Sequence, residues 1–218
     1  MNNKQVSISQ PQKDVLLSFV SGTVSYVKAH KKSVTTAVVI LVLAAILGYT
    51  YNAHVKAVQE KSWAAYYNAQ LAVMNDPSSL TPLDGVTIQF PDTNAAGYAQ
   101  LLKGDILYAQ ENYAQAADVY EPLLTAHNDT LRTVAALSFA AAKQATQDYE
   151  RAIKEMTKFI GENPKSFALP QAYFTLAVSQ ELAGKKQDAA ETYKQILADY
   201  TKTYFGAMAK EHLAALAK

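Results

Sequence analysis

Residues 34–51 read VTTAVVILVLAAILGYTY, a run without one charged side chain. As a helix rising ~1.5 Å per residue it covers about 27 Å, close to the hydrocarbon core of a bilayer. A helix is also the only single-segment structure that satisfies its own backbone there. Tyr49 and Tyr51 stand at one end, where amphipathic rings favour the membrane interface. Two other structures use apolar runs, the buried core helix and the cleaved signal peptide. A core helix seldom runs this long without a charge. A signal peptide has a short charged region before its apolar stretch, whereas the arm here exceeds thirty residues. Cutting after Ala53 would also set bulky Tyr51 where a small side chain is needed. The expected element is therefore an uncleaved transmembrane signal-anchor helix at 34–51.

Charge gives the span a direction. Lys28, Lys31 and Lys32 precede it, while beyond it Lys56 and Lys61 are offset by Glu60. Positive residues stay on the cytoplasmic side, so the N-terminus is expected in the cytoplasm. In a bacterium the remainder then lies on the periplasmic face of the inner membrane, anchored by a single pass. Residues 1–33 hold Lys4, Lys13, Lys28, Lys31 and Lys32 against Asp14 alone, which leaves 15 basic and 18 acidic residues for the rest. That acidic remainder offers no surface for neutralising phosphates, so no nucleic-acid partner is expected. Within the basic arm, Val15, Leu16, Phe19, Val20, Val24, Tyr26 and Val27 share about half a helical wheel. Either a short amphipathic helix on the cytoplasmic leaflet or a loosely ordered tail fits them. The chain has no Cys, so neither disulfides nor a lipidated cysteine anchor is available.

Residues 52–75 continue without Gly or Pro and read as a helix, with Trp63 expected in core packing. Pro77, Pro82 and Pro91, with Ser78, Ser79, Asp84 and Gly85, mark 76–94 as a Pro-rich linker or long loop. The span 52–94 is thus helix plus linker. From residue 95 the chain repeats. Gly104, Ala116 and Tyr120 stand twelve and four residues apart; so do Ala140, Ala152 and Met156, and again Ala177, Ala189 and Tyr193. A small residue on one helix and Ala on the next let two antiparallel helices cross closely. The bulky residue four positions on shares the Ala's face and fills the gap beyond. Turns fall at Glu111, Asn112 and Tyr113, at Gln147, Asp148 and Tyr149, and at Gly184, Lys185 and Lys186. Pro170 suits the first turn of a new helix. This spacing predicts three degenerate tetratricopeptide repeats over 95–203 and a solvating cap helix over 204–218. The fold expected is all-α: an N-terminal transmembrane helix followed by a right-handed tetratricopeptide-type helical-hairpin solenoid. The units depart from consensus in their longer period, in lacking Trp at the first signature position, and in Lys103, which stands where Leu is usual.

A basic arm, one signal-anchor helix, the continuing KSWAAYYNAQ segment, and repeats containing GDILYAQENYAQAADVYEPLL and AYFTLAVSQELAGKKQDAAETYKQIL together resemble a known family. They look like the bacterial inner-membrane tetratricopeptide proteins that are ancillary subunits of the Sec translocon (YfgM type). The resemblance implies a periplasmic interaction domain near the translocon, working with a periplasmic chaperone of the prolyl-isomerase type. Its expected partners are translocon subunits, that chaperone or an exported client. It supplies no catalytic residues, and the insert at 76–94 departs from it.

The residues themselves point away from enzyme chemistry. The eight Gly are scattered and form no phosphate loop. His30, His54, His127 and His212 show no metal-ligand spacing, and His127 and His212 read as helix-surface residues. No catalytic residue, metal, cofactor or small-molecule substrate is expected. The expected function is a membrane-anchored protein–protein interaction scaffold, an adaptor for the translocon or a periplasmic chaperone. An envelope or cell-division scaffold is the alternative. Counting from each small signature residue, the first helices would present a partner-binding groove of Tyr98, Leu101, Asp105 and Tyr108. Leu137, Ala141 and Gln144 continue it in the second unit, and Phe174, Val178 and Glu181 in the third. Aromatics and aliphatics with two carboxylates suit an extended or helical apolar peptide with some basic character. The competing expectation is that several of these residues simply pack between repeats.

Overall fold

The computed structural model describes residues 10–217. The part of the basic arm at 1–9, with Lys4, and the terminal Lys218 of the cap segment lie outside the described residues. The chain divides into two compact units at Ala57 and Val58.

In the first unit, α1 (Gln10–Ala29) shows that the arm is helical where it is described. The hydroxyls of Ser18, Ser21, Thr23 and Ser25 each donate back to a carbonyl three or four residues earlier, at 2.8–3.0 Å. That satisfies them without water. α2 (Lys31–Asn75) begins in this unit and contains the whole uncharged run. None of its most apolar stretch is buried in the protein, so the helix is long and apolar enough to cross a membrane.

The second unit contains the end of α2 and α3 (Thr81–Gln89), α4 (Asn94–Ala109), α5 (Tyr113–Tyr120), a 3-10 turn at Glu121–Thr125, α6 (Asp129–Ala145), α7 (Tyr149–Glu162), α8 (Leu169–Leu182), α9 (Lys186–Asp199) and α10 (Tyr204–Leu216). From α3 onward each helix packs most closely on a sequence neighbour, and α4, α6 and α8 touch in series. This is a stack of helical hairpins with first helices on one side. The three signature sets sit where each hairpin closes. Ala116, Ala140, Ala152, Met156, Ala177, Ala189 and Tyr193 have no exposed surface, and Tyr120 almost none. A β-carbon on Gly104 would lie 2.7 Å from Cζ of the Tyr120 ring, so only glycine lets α5 approach α4 this closely.

The three turns inside the hairpins repeat one geometry. Glu111, Gln147 and Gly184 have φ of 64°, 61° and 78°. The next residue in each turn, Asn112, Asp148 or Lys185, donates its N–H to a carbonyl five residues back at 2.8–2.9 Å. This is the left-handed helix stop, for which glycine is the least strained residue. Between hairpins, Thr93, Asn128 and Thr203 accept from backbone N–H groups at the starts of α4, α6 and α10. Pro170 falls in the first turn of α8 as expected.

The segment 76–94 is the main correction. It is not a linker: α3 forms within it, with Leu83 and Val86 buried against Ala69, Val73 and Ala99. Its prolines are punctuation. Pro82 lies in the first turn of α3, where a missing N–H costs nothing, and Pro91 follows the helix end. Asp76 shapes the preceding turn by accepting from the Ser78 amide at 3.1 Å. The unusual Lys103 is explained by the same helix, since its Nζ sits 2.6 Å from Asp84 of α3. The end of α2 and α3 therefore share an apolar cluster with α4 ahead of the three expected units.

Candidate functional site

The face expected to bind a partner is a set of register positions on α4, α6 and α8, and the packing treats those positions differently. Leu101 is only 8 % exposed and joins the core with Leu107, Tyr120 and Leu123, so it does not line a groove. Leu137, three residues before the second small signature, is half-buried against the core of the second hairpin. Gln144 is committed within the stack: its Nε2 donates to the Thr175 carbonyl at 3.0 Å and to Ser179 Oγ at 2.8 Å, tying α6 to α8.

The third-unit residues are covered by α10. Phe174 packs with its ring centroid 5.7 Å from Phe205 and 5.5 Å from His212, and Val178 belongs to the same cluster. Glu181 accepts from the Tyr193 hydroxyl at 2.8 Å and lies 2.9 Å from Nδ1 of His212. His212 is thus not a surface histidine but a half-buried partner of that carboxylate. The cap helix lies across α8 and α9 much as a following first helix would, because the apolar side that holds Phe205, Leu213 and Leu216 needs cover.

What stays open lies around α4. Tyr98 is half-buried, with its ring 5.6 Å from Trp63, and Trp63 also contacts Tyr66 at 5.7 Å and Tyr67 at 6.1 Å. Tyr108, 36 % exposed, packs edge-on against Tyr113 at 4.9 Å. Asp105 is exposed at one edge, and its Oδ1 accepts from the Tyr120 hydroxyl at 2.6 Å. Partial burial raises the Asp105 carboxyl above the usual range, opposed by the Tyr120 hydrogen bond. Burial and then the neighbouring carboxylate push the Tyr120 phenol up as well. Tyr66 is raised by burial, with Tyr67, Asp105 and Tyr98 adding to it.

A cavity of about 180 Å³ opens here, lined by Asp105, Tyr108, Tyr120, Ser138 and Ala141. It joins three expected residues from two first helices to two that the repeat phase did not name. Tyr120 is a second-helix signature residue whose ring is core while its hydroxyl reaches the first-helix face. Ser138 falls between the chosen register positions. Trp63 is expected in packing and Tyr66 carries no assigned role, and the sequence clue to more is the aromatic density of KSWAAYYNAQ. Larger cavities of about 480 and 470 Å³ lie at the loops between hairpins, one by Pro164 and Phe167 and one by Pro91 and His127.

Comparison with known families gives two matches. A tetratricopeptide repeat-like domain model matches residues 25–169, from within α1 to the start of α8. A tetratricopeptide repeat model matches residues 171–203, which span α8 and α9. The first match runs through both the apolar span and α3. No curated protein matches the chain.

Proposed function

The chain belongs to the tetratricopeptide repeat-like family, whose members scaffold protein–protein contacts, and on that premise we propose that it is a membrane-anchored adaptor assisting protein export. In this reading residues 34–51 cross the bacterial inner membrane, the N-terminus is cytoplasmic, and the repeat unit works in the periplasm. Its partners are translocon subunits, a periplasmic chaperone or an exported client. The observation that carries the reading is a pairing of features on one chain. One is an apolar segment of membrane-crossing length, and the other is a hairpin stack whose first-helix face keeps an aromatic and acidic strip open. Anchoring raises the local concentration of such a strip near membrane-bound partners, so modest affinity suffices.

The test is protease treatment of intact bacterial spheroplasts expressing the full chain, followed by photocrosslinking from position Tyr108 and mass spectrometry of the adducts. Digestion from outside together with crosslinks to translocon or chaperone subunits is the expected result. Protection until the membrane is lysed would invert the topology and move the partners to the cytoplasm, as in an organelle-type receptor. External digestion with crosslinks confined to envelope or division proteins would favour the alternative scaffold without a translocon link.

A further inference from the structure

Ion pairs engage several carboxylates at contacts between elements of the second unit. Asp84 has Lys103, Glu121 has Arg151, Asp148 has Lys143, Glu150 has Lys185, and Glu181 has His212. Asp105 differs. Among the described residues no Lys, Arg or His pairs with it. Its Oδ1 accepts from the Tyr120 hydroxyl, while Oδ2 makes no hydrogen bond among the described residues and Asp105 is exposed. The negative charge is therefore placed and desolvated on one side but uncompensated.

The surroundings suit a cation on a long apolar stem. Tyr108 contributes an aromatic ring to the lining, Ala141 a small apolar side chain, and Ser138 a hydroxyl. Aromatic faces attract ammonium and guanidinium groups, and such side chains bury their methylenes while keeping the charged head polar. The cavity, about 180 Å³, is well below the ~300–1,000 Å³ of sites that enclose a whole small ligand. It has room for one side chain delivered by a larger partner. Residues 58–218 hold 14 Lys and Arg against 18 Asp and Glu, so the unit as a whole also favours a basic partner.

We propose that the cavity between α4 and α6 is a specificity pocket for one Lys or Arg side chain of a bound peptide, with Asp105 as its counter-ion and Tyr108 stacked along the stem. This rests on the adaptor reading and names the chemistry its partner must carry. The partner segment is apolar enough to lie along Tyr98 and the Trp63 ring, and it places a single basic residue opposite Asp105.

The experiment titrates the full chain in detergent micelles with a fluorescein-labelled synthetic peptide bearing one lysine among leucines and alanines. The same peptide with norleucine or glutamate in place of lysine serves for comparison. The lysine peptide should bind about tenfold more tightly than the norleucine peptide, the size of a charge-assisted hydrogen bond. Asp105→Asn keeps an acceptor for Tyr120 and should bring the two within about twofold, while Asp105→Lys should turn the preference toward the glutamate peptide. Equal binding of lysine and norleucine peptides by the native chain, or discrimination that survives both Asp105 variants, overturns the pocket. Absence of binding by every peptide overturns it too, and the Tyr108 crosslinks then decide the adaptor reading on separate grounds. If all peptides bind alike and Tyr108→Ala abolishes their binding, the pocket is refuted while the first-helix face keeps its role.

Discussion

Gly104 and Tyr120 face each other across α4 and α5 with no room for a β-carbon between them. Gly104→Ala should therefore destabilise by roughly 1–3 kcal/mol, the cost of overpacking a close crossing. Gly161, in the last turn of α7, has nothing within 4 Å of such an atom. There Gly161→Ala should stabilise by about 0.5–1 kcal/mol through helix propensity alone. Urea denaturation of the two variants separates packing from propensity. Asp105 adds a pH dependence with a definite sign. Its folded carboxyl is raised, so the folded state carries no charge penalty in acid and acquires one as pH rises from the ordinary Asp range through the raised value. Asp105→Asn should then be more stable than the native chain near neutrality, and the difference should vanish near about pH 3. Equal differences at both pH values would show that the carboxylate is not penalised. The spacing of twelve and four marked Gly104, Ala116 and Tyr120 as packing residues, but it paired Gly104 with Ala116 and not with the Tyr120 ring that it meets. That the phenol of Tyr120 would also reach Asp105 was not legible, since spacing reports which face a ring occupies and not where its hydroxyl ends.

At the scale of elements, the hairpin turns show how a shared backbone need is met by different residues. All three use a left-handed stop, but only the third has glycine, and Gln147 adopts φ 61° at a strain cost. Gln147→Gly should stabilise by about 1 kcal/mol, measured by the denaturation midpoint at unchanged slope. α3 makes the opposite point. Three prolines in 76–94 argue for loop when counted, yet two of them bracket a helix. Leu83 is 1 % exposed, so Leu83→Ala should cost roughly 2–5 kcal/mol, whereas Ile88→Ala on its exposed side should change stability by less than about 0.5 kcal/mol. Similar small effects at both sites would return the segment to a loop. The oddity of Lys103 and the oddity of the insert were one feature seen twice, because Lys103 faces Asp84 of that helix. Neither could be interpreted from its own neighbourhood in the sequence.

At the scale of the molecule, the apolar run and the hairpin stack lie in separate compact units, and each was legible for its own reason. Replacing Leu41 and Leu43 together by Arg adds about 2.5–3.5 kcal/mol per residue to insertion at a span centre. Leu41→Arg with Leu43→Arg should move the chain from the carbonate-resistant membrane pellet to the soluble fraction; a chain still resistant to extraction would deny the span its anchoring role. Composition over a contiguous stretch suffices to recognise a helix long and apolar enough to cross a membrane, because transfer into hydrocarbon adds up along a single helix. Spacing suffices to recognise the hairpins, because a close crossing of two neighbouring helices is a local demand. Which first-helix residues remain available is decided by elements distant in sequence. α10 covers Phe174, Val178 and Glu181, α8 engages Gln144, and the hairpin interior takes Leu101, so that Asp105, Tyr108 and Ala141 keep an open cavity. The sequence by itself determined the kind of structure, since periodicity assigns residues to faces. Only the tertiary structure decided what each face meets, since burial and charge pairing depend on partners the local pattern does not contain.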